Sequence, residues 1–317
     1  MKIVLLDGGL VNQVTQYVFA RNLEIHTGEQ VLLDDSWFFI EHDSIIKSSE
    51  KQEIHNYQLH KFANARPNLL SQYFAPDVWK EILIELRKYP PIQGGSYIPQ
   101  VLKDNGLDLF VICEPKLLKF DGSIAYISYY HCFPEILDAQ GNVYYHGYFT
   151  HGGWFMRHKD IFLEELALPP LQEKEDIEMA QKIHDSFSVC IHVRRGVYAA
   201  QGVTLPDSYY KNTIEVLEEK FKDKDAFQDR DIHYFVFSDD IDWCRENAES
   251  LGFSLVSDKL TYGRTGRTIE NNHCDMQLMA MCDVMVLSRS VYSYYAALFN
   301  PKESKAVLNP IEGRGVF

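Results

Sequence analysis

Short apolar runs alternate with amphipathic segments through the second half of the chain, and this alternation predicts its fold. Runs rich in branched and aromatic residues predict strands over residues 189–193, 233–237, 253–256, 284–287 and 306–308. The segments between them predict helices, apart from a loop over 194–206. Strands that alternate with helices favour an α/β fold with a parallel, doubly wound sheet.

The first half opens with the same pattern. We predict a strand over residues 2–6, a glycine turn, a helix that ends at Gly28 and a strand over 30–33, which together form a β-α-β unit. Asn12 stands at the start of this helix, where it is either a helix cap or a residue that faces a ligand. Further strands are predicted over residues 109–113 and 143–149, without a prediction of their order in a sheet.

A proline-rich stretch divides the two halves. Leu168-Pro169-Pro170-Leu171 precedes a charged helix start, which is typical of a domain boundary. A chain of 317 residues is long enough for two domains. We therefore predict one domain over residues 1–170 and a second over 171–317.

Composition limits the classes of partner. A formal net charge of -14 argues against nucleic acid or an anionic membrane as the main partner. The six cysteines include no C-x-x-C pair, which indicates buried thiols in a reducing compartment. The apolar run at the amino terminus is too short for a signal peptide, and no run reaches transmembrane length. We expect a cytoplasmic protein.

Polar turns follow three of the predicted strands. Because the carboxyl ends of parallel strands lie along one edge of a sheet, we expect the three turns to share a site. They are Arg194-Arg195-Gly196, Ser238-Asp239-Asp240 and Ser288-Arg289-Ser290, with Ser293 one helical turn further on.

The chemistry of these turns suits an anionic ligand. Guanidinium groups bind phosphate through paired hydrogen bonds, and the amino terminus of a helix adds donors. Surface ion pairs and helix caps are the alternative roles. Together the turns favour a nucleotide site, and the sequence contains neither a P-loop nor a metal-ligand spacing. His192 lies inside a predicted strand, and we expect it to be a buried core histidine whose hydrogen bonds are made within the protein.

Six segments, in order along the chain, resemble motifs of the α-1,2-fucosyltransferases, glycosyltransferase family eleven. His192-Val193-Arg194-Arg195-Gly196-Val197-Tyr198 is similar to that family's H-V-R-R-G-D-Y. The others are Gly8-Gly9-Leu10-Val11-Asn12-Gln13, His146-Gly147-Tyr148-Phe149, Phe237-Ser238-Asp239-Asp240 with Trp243, Asp275-Met276 with Cys282, and Ser290-Val291-Tyr292-Ser293-Tyr294-Tyr295-Ala296.

This resemblance implies a GT-B arrangement, in which two Rossmann-like domains with parallel sheets flank a cleft. It implies that residues 171–317 bind GDP-fucose and that residues 1–170 bind a galactose-terminated glycan. The reaction would be an inverting, metal-independent transfer of L-fucose to the 2-hydroxyl, with no cofactor beyond the donor. Animal relatives carry an amino-terminal membrane anchor, and we expect none in this protein. The resemblance therefore implies a bacterial enzyme of polysaccharide biosynthesis, at most peripheral to the membrane where lipid-linked glycans are built.

The motif matches also imply roles for residues. The donor site would comprise His192, Arg194, Arg195, Asp239, Asp275, Ser290 and Ser293, with the two arginines on the diphosphate. The catalytic set would be Arg195 with Asn12 and Gln13, the last two facing the sugar.

Two departures from the family pattern matter. Val11 replaces a glycine, and Val197 replaces the aspartate that follows Arg-Arg-Gly, so the easiest candidate for a general base is missing and the base is unassigned. The alternatives are a relative that uses another GDP-sugar or makes another linkage, or a non-catalytic protein that binds nucleotide sugars or glycans.

Overall fold

The structure is a computed structural model that describes residues 1–40, 56–90, 95–114, 116–118, 124–126, 132–222 and 230–310. The chain divides into two compact units, of which the first runs over Met1–Pro169 and the second begins at Pro170. Each unit contains its own parallel sheet. This confirms the predicted α/β fold class with two parallel sheets.

The first unit is built on a four-stranded parallel sheet in the order β2-β1-β6-β3. The strands of this unit are β1 Lys2–Leu5, β2 Val31–Asp34, β3 Phe110–Cys113, β4 Lys116–Leu118, β5 Ile124–Tyr126 and β6 Val143–His146. Strands β4 and β5 form a separate antiparallel pair. Its helices are α1 Leu10–Thr27, α2 Leu70–Tyr73, α3 Pro76–Leu86, α4 Ile98–Asp104, α5 Gly152–Met156 and α6 Lys159–Glu165, with 3₁₀ turns at Ser36–Phe39, Leu59–Lys61 and Pro134–Asp138.

The second unit is built on a five-stranded parallel sheet in the order β11-β10-β7-β8-β9. Its strands are β7 Phe187–Val193, β8 Ile232–Ser238, β9 Leu260–Tyr262, β10 Val284–Val286 and β11 Ala306–Leu308. Its helices are α7 Lys174–Asp185, α8 Gly196–Ala200, α9 Asp207–Lys220, α10 Ile241–Glu246, α11 His273–Met279 and α12 Val291–Phe299, with a 3₁₀ segment over Phe253–Lys259. The apolar face predicted for α9 is buried in the core beneath this sheet.

The predicted strand over residues 253–256 is wrong. Gly252 adopts a left-handed conformation with φ of 79°, and a 3₁₀ segment follows it before the chain enters β9. Phe253 and Val256 are both buried at the three-residue spacing of a 3₁₀ turn, and the backbone leaves the helical region at Val256, which has a φ of -128°. A short apolar run therefore looked like a strand although its buried positions have helical spacing.

Two smaller predictions also need correction. The loop predicted over 194–206 contains the short helix α8. The strand predicted over 143–149 ends at His146, and Phe149 has a φ of 51°, which a strand cannot accommodate.

Gly9, and not Asn12, is the N-cap of α1, so the cap alternative for Asn12 is excluded.

The cysteines follow the prediction in part. All six are free thiols, and four of them are buried, but Cys113 on β3 is exposed and Cys132 is half-buried. Among the described residues, no helix combines the length and apolar character needed to cross a membrane.

Phe19, in the middle of α1, is the centre of an aromatic cluster in the first unit. It is fully buried, and its ring stacks on Phe149 with 3.7 Å between centroids. Tyr145 and Trp154 meet it edge-on at 5.3 and 5.0 Å. These contacts tie α1 to the chain that follows β6 and to α5.

Phe19→Ala is expected to lower the free energy of unfolding of the first unit by about 3–5 kcal/mol, because it removes a buried ring and leaves a cavity. Phe110→Ala is the matched control, since that ring is 68% exposed, and should cost about 0.5 kcal/mol or less. Urea unfolding read by tryptophan fluorescence reports this unit, because three of the four tryptophans lie in it. Equal midpoints for the two variants would contradict this assignment of the core.

Candidate anion-binding site at the carboxyl edge of the second sheet

The three polar turns predicted to share a site do meet at one edge. They follow β7, β8 and β10, which are neighbours in the order β10-β7-β8. Parallel pairing sets Val193 opposite Ser238 and Ile191 opposite Val286, so the three strands end side by side. Residues more than forty positions apart are thereby brought within hydrogen-bond distance.

Asp239 holds the Arg-Arg-Gly turn in shape. Its Oδ2 lies 2.8 Å from Nη1 of Arg194, and its Oδ1 accepts a hydrogen bond of 2.8 Å from the backbone N–H of Arg195. Gly196 has a φ of +23°, and a Cβ there would lie 2.4 Å from Oδ2 of Asp239. The turn therefore needs glycine, and contacts with the turn engage both oxygens of Asp239.

Arg195 is held in a different way. Its guanidinium carbon lies 3.5 Å from the centroid of the Trp243 ring, the distance of a close stack. Asp240 lies 3.8 Å from Nε of Arg195 and also caps α10, where its Oδ1 accepts a hydrogen bond of 3.3 Å from the Trp243 backbone N–H. Asp239 of the turn after β8 thus binds Arg194, and Trp243 of α10 contacts the face of Arg195.

His192 is a buried, neutral histidine. Its side chain is shielded from solvent, and its Nδ1 is 2.7 Å from Oγ of Ser288 at the end of β10. Burial, with a smaller contribution from the charge of Arg194, lowers the pKa of His192 to about 3. The imidazole therefore contributes hydrogen bonding and no charge to this edge at neutral pH.

Ser290 and Ser293 belong to the start of α12. Ser290 is the N-cap, and its Oγ accepts a hydrogen bond of 3.2 Å from the backbone N–H of Tyr292. Ser293 is fully buried and donates to the Ser290 carbonyl at 3.4 Å. The helix-cap role that the sequence allowed for these serines is present, and their predicted contact with phosphate stays a prediction.

Asp275 takes part in a buried charge network that the sequence did not reveal. Arg267 lies 2.6 Å from Oδ1 of Asp275 and binds both oxygens of Asp176 at 2.7 and 2.8 Å. Burial raises the pKa of Asp275, and the adjacent Arg267 opposes that effect. Nothing in the sequence indicated Arg267 or Asp176, because ion pairs between distant positions leave no local pattern.

Asn12 and Gln13, the predicted catalytic residues of the first unit, lie in the first turns of α1. Gln13 is fully buried, and its Nε2 donates to the carbonyls of Gly8 and Asn56 at 2.8 and 2.9 Å. Its Oε1 accepts from the backbone N–H of Gln58 at 2.8 Å. These bonds give Gln13 a structural role that the sequence did not indicate, and the catalytic role of both residues stays a prediction.

No group of three or more His, Cys, Asp or Glu residues that could hold a metal ion occurs in the part of the chain that the structure describes.

Comparisons with known proteins place the chain among glycosyltransferases. The model of the family described as Glycosyl transferase family 11 matches residues 130–312. An alpha-1,2-colitosyltransferase from Escherichia coli is 28% identical over 165 residues, which cover 50% of this chain and 51% of that protein. The O-antigen biosynthesis glycosyltransferase WbnK from Escherichia coli is 24% identical over an alignment of 325 residues, with 96% of this chain and 92% of WbnK covered. The chain thus matches about half the length of the colitosyltransferase.

Solved structures similar to this chain include a fucosyltransferase and a protein in complex with GDP. NodZ from Bradyrhizobium has a TM-score of 0.44 and 12% identity, with 95% of this chain and 94% of that one covered. A mutant of Arabidopsis thaliana FUT1 in complex with GDP has a TM-score of 0.45 and 13% identity, with 98% and 70% covered.

The state of His192 predicts a pH dependence of stability. A folded pKa of about 3, against about 6.5 in the unfolded chain, means that the unfolded state binds more protons between these values. The stability that His192 contributes to the free energy of unfolding is therefore complete above pH 6.5. It decreases as the pH falls, by up to about 1.4 kcal/mol per pH unit.

His192→Gln should remove this slope from the free energy of unfolding, measured in urea between pH 4 and 7. His184→Gln is the matched control, because the His184 side chain is 79% exposed, and should keep the wild-type slope. Identical slopes in all three proteins would show that His192 is not held neutral.

Proposed function

Since the chain belongs to glycosyltransferase family 11, we propose that it transfers L-fucose from GDP-fucose to the 2-hydroxyl of a galactoside, with inversion at the anomeric carbon. The observation that carries this proposal is the meeting of two arginines, a buried histidine and the capped start of α12 at the edge formed by β10, β7 and β8. Such an edge is where open parallel sheets bind ligands. We assign the donor to the second unit and the glycan acceptor to the first.

The proposed chemistry needs charge stabilisation on the leaving group. The acceptor oxygen bonds to the anomeric carbon as the bond from that carbon to the β-phosphate oxygen breaks, and the acceptor proton passes to a base. Negative charge develops on the departing GDP, where guanidinium donors fixed in advance stabilise it. Arg195 is best placed for this role among the described residues, since its guanidinium is stacked and engaged by no hydrogen bond to another described residue. With these cations present, we propose that the reaction proceeds without a metal ion.

A second candidate donor is a GDP-sugar that carries colitose, the 3-deoxy analogue of fucose. The match to an alpha-1,2-colitosyltransferase over half of this chain favours it. Val197 bears on both candidates, because this half-buried residue in the first turn of α8 offers no group that accepts a proton. The acceptor proton therefore passes to a group other than Val197.

Transfer assays with both donors test the proposal. The purified protein is incubated with GDP-fucose or GDP-colitose and a panel of galactosides, with and without EDTA, and products are read by mass spectrometry and by NMR of the new linkage. We expect an α-1,2-linked product from GDP-fucose that survives chelation. Product from GDP-colitose alone would show that GDP-colitose, and not GDP-fucose, is the donor. Binding of GDP without transfer to any acceptor would identify a non-catalytic protein. Activity lost in EDTA and restored by manganese would overturn the metal-independent chemistry.

Arg195→Ala should lower kcat/KM by the factor that corresponds to about 2–4 kcal/mol, because it removes a charge-assisted contact to the leaving group. Arg195→Lys should recover only part of the rate, since an ammonium cannot present two parallel donors. Arg245→Ala is the matched control, because this arginine on α10 is half-exposed and pairs with Asp242. A wild-type rate in Arg195→Ala would remove Arg195 from the catalytic set.

A further inference from the structure

The two adjacent arginines of the Arg-Arg-Gly turn are held by opposite kinds of partner. Arg194 is bound through its edge, where Nη1 meets Oδ2 of Asp239 at 2.8 Å. Arg195 is bound through its face, which lies 3.5 Å from the centroid of the Trp243 ring. Its Nε is buried, and no hydrogen-bond partner for it lies within the described residues.

This difference decides which donors remain free for a ligand. A guanidinium presents its five N–H groups in its own plane, so a carboxylate partner uses some of them, whereas a ring stacked on the face uses none. Cation–π attraction also holds the charge without neutralising it. Arg195 therefore keeps a fixed position and a full charge, and its stacked face uses none of the donors on its two Nη atoms.

Trp243 is itself anchored well enough to fix its partner. It lies at the third position of α10, and Asp240 caps that helix directly at the Trp243 backbone N–H. Its indole is partly buried and packs against the hydrophobic core of the second unit. The core of the second unit and the cap of α10 thus hold the ring on which Arg195 is stacked.

Asp240 cannot supply the same restraint. Its Oδ2 is 3.8 Å from Nε of Arg195, beyond hydrogen-bond distance, and its side chain is 43% exposed. Exposed ion pairs of this kind contribute little to holding a side chain in place. The Trp243 ring, stacked at 3.5 Å on the guanidinium face, is the stronger restraint on the Arg195 side chain.

We propose that Trp243 is a positioning residue for the donor diphosphate, which it serves by holding Arg195 through its face and leaving the guanidinium edge free for phosphate oxygens. This inference rests on the proposed function, because the diphosphate is that of the GDP-sugar. Arg194, whose edge is bound to Asp239, shapes the turn. The diphosphate contact therefore depends on an aromatic residue that never touches the donor.

A double-mutant cycle on GDP affinity tests this inference by calorimetry. Trp243→Leu should weaken GDP binding by about 3- to 30-fold, the range that corresponds to measured cation–π energies. In the Arg195→Ala background the same change should have less than a twofold effect, because Trp243 acts through Arg195. Trp243→Phe, which keeps a ring face, should retain affinity within about threefold of wild type.

Tyr262→Leu is the matched control. Tyr262 carries the neighbouring Arg245 at 5.1 Å and packs on the same core, so it reports a general effect of losing an aromatic residue there. GDP affinity within twofold of wild type is expected for this variant, with melting temperatures recorded for every protein.

The outcomes separate the two proposals. A wild-type protein that binds no GDP would overturn the proposed function together with this inference. Wild-type affinity in Trp243→Leu would overturn the inference alone. An equal loss from Trp243→Leu with and without the Arg195 side chain would also overturn it, since the ring would then act independently of Arg195.

Discussion

The parallel pairing of β7 with β8 on one side and β10 on the other is the constraint on which the second unit depends. Two central contacts of the candidate site link residues that follow or lie on neighbouring strands of this trio, namely Arg194 with Asp239 and His192 with Ser288. A register shift of one residue would reverse the side chains and separate both pairs. The register of the sheet therefore determines which residues of the three turns lie close enough to form the site.

Charge is distributed locally in a way that net charge does not reveal. The chain carries a formal charge of -14, yet two arginines meet at one sheet edge with a carboxylate on one of them and an indole on the other. A second cluster, built from Arg267 with Asp176 and Asp275, is buried and pairs one guanidinium with two carboxylates. The acidic composition argues against nucleic acid or an anionic membrane as the main partner, while the sheet edge brings together the guanidinium groups that a small anion needs.

The sequence predicted those parts of the fold that follow from local periodicity, and failed where spacing was ambiguous. The strands β7 and β8 were confirmed as buried runs, because every residue over 188–193 and 234–238 is buried, and the amphipathic α9 was confirmed because its buried residues have helical spacing. The strand predicted over residues 253–256 was wrong because the pattern of four residues does not distinguish a strand from a 3₁₀ turn. At the site, the position of the three turns could be predicted from the ends of the strands. The pairing of Arg267 with Asp176 could not, because it joins residues 91 positions apart in the sequence.

Gly196 gives this site an unusual mutational profile. The carboxylate that a side chain at this position would displace is the one that holds Arg194 and the backbone of Arg195. One methyl group would therefore act on both arginines through the carboxylate of Asp239. Variation that tunes the ligand specificity of this protein must accordingly accumulate elsewhere along the edge, and any library built on this scaffold should keep residue 196 fixed.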